Sequence, residues 1–283
     1  MIYYETGNGS RYINPMDITL ERGYSIEVFA EGLDAPSSIL FTEDGHMFIS
    51  NSGLTNGNPS ISELRNGRFE VIAEHFNVPL LGINYRRGDI YVSHKTAITT
   101  VSLDGERKNI ITGLPCYGDY SNCRVDFGPD GKMYFGVGSA TNSGVVGPDN
   151  LWVPDYSFFC DKPGMPIILK GQNFTTKNIL ISNTGETSTT GAFSPFGEAN
   201  ERNEMRKGVV KATASILRAN IDGSDIELVA WGVRCANYLK FFEGRLYVSN
   251  SSYVVDMGTS LPENPNIILP NTGVIWRITR DTF

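Results

Sequence analysis

Short stretches of alternating hydrophobic and polar residues recur along this chain, in pairs separated by a glycine-bearing turn. One copy runs over residues 123–128 and 132–138, joined by Pro129-Asp130-Gly131. Proline at the first turn position fixes φ, and glycine after aspartate accepts the positive φ that the turn needs. The flanking stretches are rich in aromatic and β-branched residues, so the pattern predicts a β-hairpin.

The same hairpin is predicted four times. In each copy an aromatic residue follows the turn glycine by three positions, and a small residue lies two positions further on. The four copies cover residues 37–51, 81–94, 122–136 and 237–250. A second, more polar pair of strands follows three of them, at residues 61–73, 98–111 and 214–231.

Two hairpins per repeat make a four-stranded sheet, and sheets repeated about an axis make a β-propeller. We therefore predict an all-β chain, one β-propeller domain over residues 1–283, with four blades supported by the sequence. The stretch 25–32 resembles a fourth strand and 274–279 a third, so the two ends are predicted to share a blade and close the ring. An antiparallel sandwich with coincidental turn spacing is the alternative.

A long insertion over residues 140–211 separates the two hairpins of the third blade. We predict short strands within it, at 166–170 and 178–182, because a structureless loop of this length is uncommon inside a compact domain. Its aromatic residues would anchor it against the propeller. The insertion is either a lid over a site or a packed extra element, and a sheet within it would raise the blade number to five or six.

Composition limits the classes of partner and the cellular location that the sequence predicts. The formal net charge of −7 argues against nucleic acid, which requires clustered basic residues. No stretch approaches the roughly 20 apolar residues of a membrane span, and the first residues lack a signal-peptide pattern, so the sequence as given predicts a cytoplasmic location. The four cysteines lack metal-binding spacing; Cys116 and Cys123 are either buried thiols, which we favour, or a disulfide. Nothing indicates an oligomeric state.

The inner strands of a propeller line its channel, so residues at their ends are the candidates for a site. The set is rich in amides and contains one histidine: Asn51, His94, Asp119, Tyr120, Asn122, Asn142, Arg234, Asn237 and Asn250.

Two segments carry a resemblance to a known family. Residues 113–139 contain GLP, then GD-x-S-N-x-R-V-D-FGPDGKMYFGVGS, and residues 230–241 read AWGVRCANYLKF. They resemble the soluble quinoprotein glucose and sorbosone dehydrogenases. The resemblance implies a six-bladed propeller, often exported, that binds pyrroloquinoline quinone (PQQ) and usually Ca²⁺. We predict Arg234, Asn122 and Asn237 as cofactor-binding residues, and no metal ligand is assigned.

The predicted reaction is oxidation of an aldose or polyol. Tyr120 stands where the family has its catalytic histidine, and a phenol with a pKa of about 10 is a poor base at neutral pH. Asp119 and His94 are therefore the substitute bases, and the three residues form our predicted catalytic set.

Two alternatives belong to other classes of protein. One is a non-catalytic propeller that binds a glycan or a protein partner through its amide-rich rim. The other is a metal-dependent lactonase in which asparagine oxygens hold a cation such as Ca²⁺. Fold alone does not choose between these functions.

Overall fold

The structure is a computed structural model that describes residues 14–181, 185–250, 254–255, 267–268 and 274–279. Over these ranges the chain is all-β, with a single 3₁₀ turn at Pro15–Asp17 as its only helical element. Its main antiparallel sheets are arranged as a four-bladed β-propeller, as predicted. Among the described residues no helix is long and apolar enough to cross a membrane.

The first two blades are uninterrupted four-stranded meanders. Blade one consists of β1 (Pro36–Phe41), β2 (Met47–Asn51), β3 (Ser60–Arg65) and β4 (Arg68–Glu74). Blade two consists of β5 (Leu80–Arg86), β6 (Asp89–His94), β7 (Ala97–Ser102) and β8 (Arg107–Ile111).

The other two blades carry the irregularities of the chain. Blade three is formed by β9 (Asp126–Phe127), β10 (Met133–Val137), β15 (Ser215–Ala219) and β16 (Glu227–Trp231). Blade four contains β17 (Ala236–Phe242), β18 (Arg245–Asn250) and β21 (Val274–Ile278). A separate two-stranded pair, β19 (Val254–Val255) with β20 (Ile267–Ile268), lies between β18 and β21 in the chain.

Apolar side chains fill the space between successive blades. Phe48 and Ile83 belong to the core between blades one and two. Phe135 lies in the core between blades two and three, and Val248 in the core between blades three and four. Because side chains of a strand alternate between its two faces, one sheet contributes to two of these cores.

The prediction that residues 25–32 form a closing strand is wrong. Residues 25–32 form no strand, and β21 pairs with β18 alone among the described residues. Instead, residues 28–33 line a cavity together with Leu64 and residues 67–69, beside the β3–β4 turn. The segment has the right alternation, but a strand also needs a backbone partner.

The insertion lies between β10 and β15 and has two small ribbons of its own. β11 (Ile167–Ile168) pairs with β14 (Met205–Arg206), and β12 (Asn173–Lys177) pairs with β13 (Thr187–Gly191). The first strand falls where it was predicted. The second lies before the predicted 178–182, because the Asn178 side chain accepts a hydrogen bond from the Leu180 N–H and starts a turn there.

The four cysteines are not in disulfides. Cys116 and Cys123 are buried thiols, the outcome favoured by the sequence, and burial raises the pKa of each to about 12. The organisation of residues 1–283 as one domain stays a prediction.

Candidate functional site

A cavity of about 330 Å³ lies where the inner strands of the four blades converge. We call it the axial cavity. Blade one and blade two contribute serine and leucine side chains, and blades three and four contribute the longer segments. Its wall consists of Ser37, Ser38, Leu81, residues 121–124 and residues 235–238.

A repeated β-bulge shapes this wall. The register between inner and second strands shifts by one residue at the same place in blades one, two and four. The additional residues are Ser37, Leu81 and Asn237, and each of them lines the axial cavity. A bulge leaves one residue outside the ladder and re-aims its side chain. The repeat therefore places one such residue at the cavity from each of these three blades.

Asn122 lies on the blade-three side of the cavity, directly before Cys123, whose N–H bonds to the Gly136 carbonyl at 3.1 Å. The Asn122 side chain is 3% exposed. Its Nδ2 donates to the Ser93 hydroxyl at 2.7 Å and to the His94 carbonyl at 3.1 Å. Because the carbonyl is only an acceptor, this contact fixes the amide orientation. Oδ1 is buried and has no hydrogen-bond partner among the described residues.

A second group, which we call the rim cluster, consists of Tyr120, Asn142 and Arg234. The Tyr120 hydroxyl donates to Asn142 Oδ1 at 2.7 Å and accepts from Arg234 Nη1 at 2.9 Å. Arg234 Nη1 also donates to Asn142 Oδ1. Burial raises the pKa of Tyr120, although the guanidinium of Arg234 opposes the shift. The phenol is therefore protonated at neutral pH.

His94, at the end of β6 in blade two, has both ring nitrogens engaged. Nδ1 accepts from the Asn77 N–H at 3.0 Å, and Nε2 lies 2.8 Å from the Thr99 hydroxyl. Burial, helped by the nearby charge of Arg107, lowers the pKa of His94 to about 4. These contacts hold a neutral imidazole within the structure, and the catalytic role of His94 stays a prediction.

Asp119 connects the rim to the insertion. Its two carboxylate oxygens accept from Asn150 Nδ2 at 3.0 Å and from Trp152 Nε1 at 2.8 Å. Trp152 packs against Phe159, which packs against Tyr117 next to the rim. These aromatic residues anchor the insertion as the sequence predicts. The contacts suit a carboxylate that holds a segment in place, and its catalytic role stays a prediction.

The backbone at Gly138 packs closely against Tyr120 of the rim cluster. A Cβ atom at this position would lie 2.4 Å from Tyr120 Cβ and 2.7 Å from its carbonyl carbon. We expect Gly138→Ala to displace Tyr120 from Arg234 and to lower the free energy of unfolding by about 2 kcal/mol.

Urea denaturation measures that change, and the fluorescence of Tyr120 relative to a Tyr120→Phe background reports on the rim. The matched control is Gly131→Ala. Gly131 lies in an exposed turn with open space around it, so this substitution is destabilising only through the strain of alanine at a positive φ. Equal destabilisation by the two variants would contradict the packing argument.

The structure brings Asn122 and Asn237 together at the axial cavity, and Tyr120 with Arg234 in the rim cluster. The His94 carbonyl accepts from the Asn122 amide, whereas the Asp119 carboxylate contacts the insertion. Sequence reasoning missed Arg124, which lines the cavity two residues after Asn122. The available signal was its position in the segment that carries the family resemblance.

A metal site built from histidine, cysteine or carboxylate ligands is lacking in the part of the chain that the structure describes. No group of three or more His, Cys, Asp or Glu side chains there is placed to hold a metal ion. The asparagine side-chain oxygens differ in their hydrogen bonds, and Asn142 Oδ1 accepts from the Arg234 guanidinium. Asn122 Oδ1, which is uncharged, is the amide oxygen of the cavity wall that lacks a donor among the described residues.

Fold and site together define a four-bladed propeller with a cavity where its inner strands meet. No family model matches the chain, and the search of curated proteins finds no significant match. Solved structures that resemble it include the PQQ domain of pyranose dehydrogenase from Coprinopsis cinerea, at 13% identity and a TM-score of 0.48, over 84% of this chain and 49% of that one.

Two further solved structures resemble the chain. A Thermus thermophilus protein named as a putative oxidoreductase (glucose dehydrogenase) aligns at 16% identity and a TM-score of 0.36, over 89% of this chain and 98% of that one. A protein named as a putative gluconolactonase aligns at 13% identity and a TM-score of 0.43, over 82% and 61%. The chain thus spans about half the length of the fungal domain, and likeness at this level carries no argument about activity.

Proposed function

We propose that this chain is a propeller that binds a small polyhydroxylated ligand, a sugar or glycan, in its axial cavity. The observation that carries the proposal is the cavity itself, whose wall includes serine hydroxyls from blades one and three and asparagine amides from blades three and four. Such groups donate and accept in turn, as sugar hydroxyls do. The buried Asn122 Oδ1 has no donor in the part of the chain that the structure describes, and a ligand hydroxyl would supply one.

The contacts of the three predicted bases favour binding over catalysis. Each residue predicted as a base has its proton-accepting atoms engaged: Tyr120 with Arg234, His94 with Asn77, and Asp119 with Asn150 and Trp152. A general base has to be within reach of the substrate proton and ready to accept it.

Asn237 offers a direct test, because it lines the cavity and is exposed. We expect Asn237→Ala to weaken the binding of monosaccharides or short glycans about tenfold, the effect of one or two lost hydrogen bonds, with an unchanged unfolding midpoint. Titration calorimetry after a glycan-array screen measures it. Gln172→Ala, an exposed amide outside the cavity, is the control. Absence of any sugar binding at millimolar concentrations would contradict the proposal.

Quinone-dependent sugar oxidation is the second candidate, and one observation favours it. Arg234 holds a cation at the channel mouth, where an anionic cofactor such as PQQ would need one. The engaged state of the predicted bases does not fit the proton-abstracting half of that chemistry. We therefore assign Arg234 a binding role and derive no oxidation step.

Adding PQQ and Ca²⁺ to the purified chain separates the two candidates. Quinone uptake at micromolar concentrations that Arg234→Met abolishes, with aldose-dependent dye reduction, would establish the second candidate. Sugar binding without quinone uptake would leave the first. Lactone hydrolysis that a chelator stops would instead indicate the lactonase.

A further inference from the structure

Arg124 crosses the axial cavity from blade three. Its stem packs against Gly82 of blade two, where a Cβ atom would lie 3.0 Å from Arg124 Cβ and 3.1 Å from its Cδ. At its far end the guanidinium carbon lies 4.6 Å from the centre of the Tyr238 ring of blade four, and Nη2 donates to the Tyr238 hydroxyl. Three blades therefore fix the position of this side chain.

The charge of Arg124 has no counter-ion in the described part of the chain. No carboxylate lies within ion-pair distance of the guanidinium there, and Nε is buried without a hydrogen-bond partner. A partly buried cation is stabilised by an anion that accepts its N–H groups. Arg124 is also the charged member of the cavity wall, in a chain whose net charge is −7.

Asn122, two residues before Arg124 in the same segment, adds a second requirement. Its unpartnered Oδ1 needs a donor, which a carboxylate does not have and a hydroxyl does. A ligand that satisfies both residues carries an anionic acceptor and, a few bonds away, a hydroxyl group. Serine hydroxyls at positions 37, 38 and 121 continue the polar wall and can take further hydroxyls.

We propose that the axial cavity selects a polyhydroxy carboxylate, a sugar acid, with Arg124 binding the carboxylate and Asn122 binding a hydroxyl. This inference rests on the proposed sugar-binding function and names the class of ligand within it. The neutral sugar of the same shape leaves Arg124 without an anion, so it binds more weakly.

Matched pairs of probes test the inference on the full chain. D-gluconate is compared with sorbitol, and D-glucuronate with glucose, by titration calorimetry. We expect each acid to bind at least about tenfold more tightly than its neutral partner, the ratio for one charge-assisted hydrogen bond. Arg124→Met keeps the stem against Gly82 and should abolish this ratio, whereas Arg124→Lys should retain part of it. Arg245→Met, an exposed arginine outside the cavity, should leave it unchanged.

Alkylation of the Cys235 thiol reports where the ligand binds. This measurement also tests the inference if Arg124→Met does not fold. Cys235 lies in the cavity wall, with Sγ 3.0 Å from Asn237 Oδ1. Gluconate should slow its alkylation, followed by peptide mass spectrometry, more than sorbitol does. Burial raises the pKa of Cys160 to about 11, so that thiol is the unreactive internal reference.

The outcomes separate the inference from the proposed function. Equal affinity for acid and neutral partner overturns the inference and leaves the proposed function intact. Acid binding that neither protects Cys235 nor depends on Arg124 also overturns it. If none of the four probes binds, the proposed function fails as well.

Discussion

Replacing Asp161 by alanine is expected to lower the free energy of unfolding by about 3 kcal/mol. Asp161 is buried and accepts four hydrogen bonds: from the N–H groups of Ala140 and Thr141 at 2.7 and 3.1 Å, and from the hydroxyls of Thr141 and Thr213 at 2.9 and 2.7 Å. Ala140 and Thr141 follow β10, and Thr213 precedes β15. One carboxyl group thus ties together both ends of the insertion.

The size of the effect follows from the donors that the variant leaves behind. A buried N–H or O–H without an acceptor costs about 1–3 kcal/mol, and only Thr213 has another acceptor nearby, the Lys162 carbonyl at 3.3 Å. Burial raises the pKa of Asp161, and the four donors oppose the shift. Both protonation states use the same oxygens as acceptors, so alanine removes these bonds at any pH.

Calorimetry should record a fall in Tm of roughly 6–12 °C for a loss of this size. Asp155→Ala, an exposed acidic residue of the same insertion, is the control and should change Tm by less than about 2 °C. A similar small change for Asp161→Ala would mean that the insertion is held without this carboxyl group.

The stability of the protein is expected to fall between pH 6.5 and pH 4 because of His94. Burial lowers the pKa of His94 to about 4 from an ordinary value near 6.5. In this window the unfolded chain takes up a proton that the folded protein does not. The contribution to stability is therefore fully present above pH 6.5 and is lost as the pH falls towards 4, by roughly 3 kcal/mol in total.

His94→Asn isolates this contribution. Asparagine stands at the matching register position of blades one and four, as Asn51 and Asn250, and Asn250 Oδ1 accepts from the Cys235 N–H much as His94 Nδ1 accepts from Asn77. We expect urea denaturation to give the wild type a slope about one proton steeper than the variant between pH 6.5 and 4. His75→Asn, on a side chain that is 73% exposed, should keep the wild-type slope. Parallel curves for wild type and His94→Asn would contradict the burial of a neutral imidazole.

Local chemistry was sufficient for the blades. Each turn glycine takes a positive φ, for example 93° at Gly45 and 80° at Gly131, as the turn pattern requires. The alternation of apolar residues then decides which face of each strand is buried. Both signals lie within about fifteen residues, so the four hairpins were predictable without knowledge of the rest of the chain.

Pairing over longer distances was harder to predict. Residues 25–32 have the alternation of a strand but pair with no strand that the structure describes, whereas the ladder of β10 with β15 spans the whole insertion. Alternation predicts which side chains lie on each face of a strand, but it does not identify the neighbouring strand. Strands pair through backbone N–H and C=O groups, which are the same whatever the side chain.

The candidate site was likewise only partly predictable from the sequence. The sequence by itself determined the repeated hairpin, the all-β fold and the amide-rich inner strand ends, since these depend on turn geometry and side-chain type. Only the tertiary structure decided which polar atoms are already satisfied: Tyr120 is bound by Arg234, 114 residues later, while Asn122 Oδ1 and Arg124 Nε keep unused hydrogen-bonding capacity. That capacity depends on neighbours from other blades, whose positions follow from packing about the axis.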